Sequence, residues 1–93
     1  MQSWQRVELT CSAVDYDFWL TWLLEQHQGS LDVIAVRRYG LNHTQLSRSE
    51  QVKGFADYYR FSLTLPSEAA TELKQMVSQQ AHPIEVCLLN ING

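Results

Sequence analysis

The chain has 93 residues, room for one domain with a modest core. Its apolar (45%) and charged (18%) fractions exclude a disordered chain. No apolar run approaches the roughly 18 residues of a membrane span, and the polar start Met1–Arg6 lacks a signal-peptide stretch. A single domain over 1–93, cytoplasmic and not inserted in a membrane, is therefore expected. The net charge of −3 is uneven. Between Arg37 and Arg60 five of the seven basic residues face two acids, a local charge of +3, and the remainder carries −6.

Gln5–Cys11 alternates, with Val7, Leu9 and Cys11 on one side and Arg6, Glu8 and Thr10 on the other, the pattern of a half-buried strand. Ser12 followed by Asp15 reads as a capping box. The helix it opens carries Tyr16, Trp19, Leu20, Leu23, Leu24 and His27 at three-four spacing, with Gly29 as its stop. Leu31–Tyr39, rich in β-branched residues, is the second strand. Phe55–Leu65 is the third, with Tyr59, Phe61, Leu63 and Leu65 facing one way and Tyr58, Arg60, Ser62 and Thr64 the other. Ser67 is the expected N-cap of a second helix burying Ala69, Ala70, Leu73, Met76 and Val77, and His82-Pro83 ends it. Ile84–Leu89 is the last strand.

The order β-α-β-β-α-β predicts an α+β, ferredoxin-like sandwich: two helices on one face of a four-stranded antiparallel sheet. The expected core is Val7, Leu9, Leu20, Leu23, Phe61, Leu63, Leu73, Val77, Val86 and Leu88. Strands two and four, at the edges, are apolar on both faces, which argues for a homo-oligomer that covers them. Cys11 and Cys87 belong to no C-x-x-C and are expected as buried small hydrophobes.

Gly40–Gly54 is out of pattern, about fifteen residues where a hairpin usually takes two to five. Its polar composition predicts a mobile loop that recognises a partner. The candidate contact residues are Leu41, Asn42, His43, Leu46, Arg48, Glu50 and Lys53. His43 is also the one candidate metal ligand, and it would need further ligands from a neighbouring subunit. His27 suits the C-terminal end of its helix, and His82 is a turn residue. Lys53-Gly54-Phe55-Ala56 imitates an RNA-recognition strand, but Asp57 and Arg60 occupy positions that need aromatics, so no nucleic-acid partner is expected. No nucleophile triad, P-loop or carboxylate pair has useful spacing, and no enzyme is expected. The remote enzymatic alternative would act on an anionic substrate through Arg37, Arg38 and Arg48.

Trp22-Leu23-Leu24-Glu25, Gly40-Leu41-Asn42-His43 and Leu46-Ser47-Arg48-Ser49-Glu50-Gln51-Val52-Lys53-Gly54, leading into Tyr59-Arg60-Phe61, carry a family resemblance. The chain resembles a family of small bacterial PII-like domains of unknown function, often encoded beside heavy-metal efflux systems. The resemblance implies a trimer of ferredoxin-like subunits that engages a protein partner through the segment between strands two and three. It implies a non-enzymatic regulatory or accessory role in metal-stress physiology, with direct metal-ion or small-anion binding as the alternative. PII signalling proteins hold nucleotide phosphates on a glycine-rich loop before the last strand. Here Gln79-Gln80-Ala81-His82-Pro83 has no glycine, and Asn42 stands where relatives carry a second histidine. No cofactor is expected.

Overall fold

The structure, a computed structural model, describes residues 3–91. Four strands, β1 (Trp4–Ser12), β2 (Asp32–Arg38), β3 (Ala56–Pro66) and β4 (Glu85–Ile91), form one antiparallel sheet in the order β2-β3-β1-β4. Helices α1 (Tyr16–Gln26) and α3 (Ser67–Ser78) contribute to the core on one face, and a short helix α2 (Arg48–Lys53) lies between β2 and β3. This is the expected ferredoxin-like sandwich, with the edges where the sequence puts them.

Alternation decides the packing. Val7, Leu9 and Cys11 of β1 pair in register with Leu63, Phe61 and Tyr59 of β3, and this side carries the helices. Seven of the ten expected core residues are buried; Leu20, Val86 and Leu88 pack against that core half-covered. Trp19, fully buried, is its largest member and was placed on the helix face but not in the expected core. Its indole Nε1 donates to the Pro83 carbonyl at 3.2 Å, tying α1 to the turn before β4. Tyr16 packs on Tyr59 and stacks on Phe61 with ring centroids 4.2 and 5.8 Å away.

Four local expectations are corrected. Ser12 accepts from the Val14 amide and caps a 3-10 turn over Ala13–Asp15; α1 starts one turn later, with Asp15 as an N-cap whose side chain does not bond to the helix amides. Pro66, not Ser67, is the N-cap of α3, since a fixed-φ proline leads into a helix without a side-chain cap. That helix ends at Ser78, before His82-Pro83, with Gln79 and Gln80 amides bonding back to the Met76 and Val77 carbonyls. Cys87 is exposed: it pairs with Glu8, which puts it on the face without helices. Cys11 is buried as expected, and burial with the nearby Asp15 carboxylate raises its thiol to about 11.

The open face holds Ile34, Val36, Arg38, Tyr58, Arg60, Thr10 and Glu85 in adjacent register positions. Arg38 crosses it, its guanidinium 4.2 Å from the Tyr58 ring centroid, to grip Glu85 with two bonds of 2.7 and 2.9 Å. Arg60 Nε donates to Thr10 Oγ1 at 2.9 Å. Thr10 is thereby buried on a face that carries no helix. Toward the other end, Trp4, Leu89 and Ile91 form an exposed apolar strip along β1 and β4.

Candidate functional site

The segment 40–54 is not the structureless loop expected of its composition. Asn42–Gln45 closes on itself: the Gln45 amide donates to the Asn42 carbonyl at 3.0 Å, the Asn42 amide to Gln45 Oε1 at 3.1 Å, and the Thr44 hydroxyl to Asn42 Oδ1 at 2.6 Å. Helix α2 follows. Ser47 and Glu50 form a complete capping box, with the Ser47 amide 2.9 Å from Glu50 Oε1 and the Glu50 amide 3.3 Å from Ser47 Oγ. Gly54, at φ +81°, ends the helix in the left-handed region that favours glycine. The polarity that suggested a loop instead supplies hydrogen bonds that need no burial. Ser-x-x-Glu followed by glycine is a helix signature, so this element was legible from the sequence.

Glu50 also anchors the segment to the sheet, because its second oxygen accepts from the Asp57 amide at 3.3 Å. Lys53 adds an ion pair of 3.1 Å to Asp57. Two cations, Arg37 and Lys53, flank the Phe55 ring at 4.7 and 5.3 Å, and Tyr39 packs on the same ring at 5.4 Å. Lys53-Gly54-Phe55-Ala56 therefore has a structural job: it terminates α2 and seats it on the start of β3.

Among the expected contact residues, Leu41, Leu46 and Glu50 are half-buried, and Asn42, Arg48 and Lys53 are exposed. The side chain of His43 lies outside what the structure describes. Among the described residues no cluster of three or more metal-ligating side chains occurs. Val52, which with Leu41 and Leu46 makes up the aliphatic residues of the segment, is 89% exposed on α2. Arg37, Arg38 and Arg48 do not converge: one covers Phe55, one crosses the open face, and one starts α2. The anion-binding cluster imagined for an enzyme is thus dispersed.

His82, expected as a plain turn residue, is held on both sides. Its ring stacks on Phe18 with centroids 3.9 Å apart, and Nδ1 lies 2.9 Å from Asp15 Oδ1. With the Trp19 bond to Pro83, side chains from α1 and its approach fix the glycine-free turn before β4.

The Ser47 and Asp57 amides hold the Glu50 carboxyl below its ordinary value of 4.5, the Ser47 amide most strongly. A depressed carboxyl stabilises above its unfolded value and loses that contribution as pH falls through the folded one. Helical chemical shifts over 48–53 are therefore expected at pH 7 and should fade below about pH 4.5, the unfolded value from which the contribution starts to be lost. Ser47→Ala should weaken α2 by about 1 kcal/mol, read as faster amide exchange at Glu50 and Gln51 with the global melt unchanged. Unchanged exchange would show that the cap does not hold the helix.

Comparison with protein-family models gives no match, and neither does comparison with curated proteins. Solved structures do match. A PII-like signalling protein of Thermus thermophilus superposes with a TM-score of 0.67 at 10% identity, covering 96% of this chain and 87% of that one. The fold is PII-like. GlnK of B. subtilis, solved with ATP, gives 0.59 at 15% identity over 96% and 82% of the two chains. The nitrogen regulatory PII-like protein CPII of Thiomonas intermedia, bound to ADP, AMP and bicarbonate, gives 0.56 at 10% over 98% and 94%. In this chain the turn before β4 is held through His82 and Pro83 and contains no glycine.

Proposed function

We propose that the chain is a non-enzymatic regulatory or accessory protein of the PII-like kind, assembled with copies of itself and acting on a protein partner through segment 40–54. The observation that carries this reading is α2, a helix stabilised by its own caps that leaves Val52 in solvent. A helix whose hydrogen bonds are satisfied locally is free to present its side chains to another molecule. Arg48 and Lys53 lie exposed beside Val52, so an acidic partner surface with an apolar contact fits. Its physiological setting is metal stress, following the sequence resemblance; direct binding of a metal ion or small anion is the alternative.

The signalling descriptions of the fold relatives support the regulatory class, and their bound ligands make ATP, ADP and AMP the first small molecules to screen. Self-assembly is supported by the edge positions of β2 and β4 and by the exposed strip of Trp4, Leu89 and Ile91. A trimer is the expected form. Light scattering that gave a stable monomer of 10.8 kDa at micromolar concentration would overturn it.

The partner reading is tested by joining Tyr39 to Phe55 through a two-residue Asn-Gly turn. Circular dichroism and molecular mass should stay those of the parent assembly, and the protein that co-purifies with the parent should be lost. Val52→Glu in the full chain should weaken that association by at least about tenfold. Partner binding retained by the shortened protein would place recognition elsewhere, and loss of the fold would make the segment structural.

A further inference from the structure

His27 and His82 are held in opposite ways. At the end of α1 the His27 Nε2 lies 3.2 Å from the Ser30 carbonyl. A carbonyl only accepts, so Nε2 carries the proton there. At His82 the partner is a carboxylate and the engaged atom is the other nitrogen, Nδ1, 2.9 Å from Asp15 Oδ1. A carboxylate also only accepts, so in the neutral His82 ring Nδ1 carries the proton and Nε2 keeps its lone pair.

That lone pair faces away from Asp15, and among the described residues no hydrogen bond engages it. The Asp15 side chain is 14% exposed and that of His82 42%, so the carboxylate sits inside and the ring reaches solvent. Phe18 stacks on the ring at 3.9 Å with 18° between the planes, and the Trp19 indole pins the carbonyl of the next residue, Pro83. Tautomer and orientation are thus fixed in the free protein, the arrangement of a nucleophile aligned by an acid. His82 also lines a cleft of about 360 Å³ with Lys74, Ser78 and Gln80, where the chain leaves α3. Ser78 Oγ and Gln80 Nε2 donate to the Gln75 and Met76 carbonyls of that helix, and Lys74 supplies the cleft's ammonium.

A metal ion on Nε2 would need further ligands, and among the described residues no three metal-ligating side chains cluster. Lys74 in the same cleft opposes a cation and favours an anionic reactant. Free carboxylates do not acylate an imidazole, whereas phosphoryl groups transfer to it. We infer that His82 is a phosphoryl-acceptor site, modified at Nε2 by an activated donor of the phosphoramidate or acyl-phosphate class. Nε2 supplies the electron pair of the new N–P bond, the donor's own bond to phosphorus breaks, and the leaving group keeps that pair. The proton stays on Nδ1, the ring becomes cationic, and Asp15 balances it from 2.9 Å. None of these residues lies in segment 40–54, on the helix-free face or in an edge strand. The inference therefore stands apart from the partner reading and from the surfaces proposed for assembly.

The test is incubation of the full chain with phosphoramidate, followed by phosphorus NMR and by peptide mass spectrometry to place the acid-labile phosphate. His82 should be modified at Nε2 at least about tenfold faster than His27 in the same sample, the lower end of what an opposite charge in contact contributes. That preference should vanish in denaturing urea, where Asp15 and His82 part. Asp15→Asn keeps a hydrogen-bond acceptor and removes the charge; it should slow His82 at least about tenfold, with His27 and the circular dichroism unchanged. Equal rates at His82 and His27 in the native parent would overturn the inference. Modification of His82 at Nδ1, or an unchanged His82 rate in Asp15→Asn, would also overturn it.

Discussion

Trp19→Ala is expected to lower the unfolding free energy by about 3–5 kcal/mol, the usual range for deleting a buried aromatic side chain. Trp19 is fully buried beneath α1 among Leu23 and the β-sheet core. It also makes edge contacts with Phe18 and Trp22 at 5.0 and 5.5 Å. Two effects add. The cavity costs lost dispersion and transfer energy, and the Pro83 carbonyl loses its indole donor. Trp19→Phe separates them, because it refills most of the space but restores no donor. It should cost less than half as much, about 1–2 kcal/mol. Leu24→Ala, on the same helix but exposed, is the control and should stay within about 0.5 kcal/mol. Urea melts of the three variants check the order, and a neutral Trp19→Ala would mean that α1 does not pack through this face.

The second large effect is expected at Arg38→Ala, about 1–2 kcal/mol at pH 7, from an ion pair and a ring contact together. Exposed ion pairs contribute little, and Glu85 is 65% exposed, so the pair alone is worth under about 1 kcal/mol. The remainder comes from the guanidinium lying on Tyr58. Arg38 donates two bonds to Glu85 and thereby holds that carboxyl below its ordinary 4.5. The folded value is the lower one, so the pair stabilises above the unfolded value and its contribution is lost as pH falls through the folded value. The difference between parent and Arg38→Ala should therefore narrow below about pH 4.5 but not vanish, since the ring contact does not titrate. A Glu85→Gln double-mutant cycle isolates the ionic part. A difference that stayed constant from pH 7 to pH 3 would assign the whole effect to packing on Tyr58.

Much of this protein was written locally. Alternation in Gln5–Cys11 and Phe55–Leu65 fixed which side of each strand meets the helices, because side chains on a strand alternate faces whatever surrounds them. The element order then left the ferredoxin-like arrangement, with β2 and β4 at the edges. Segment 40–54 was also determined locally, through Ser47, Glu50 and Gly54, although its polarity masked the helix. Tertiary structure decided what depends on residues far apart in the chain. Cys11 and Cys87 look alike as small apolar residues within strands. Only the register, Tyr59 opposite Cys11 and Glu8 opposite Cys87, buries one and exposes the other. Arg38 and Glu85 meet across 47 positions, and His82 meets Asp15 across 67. No local pattern encodes such pairs, because each forms only after the sheet has brought two distant segments together.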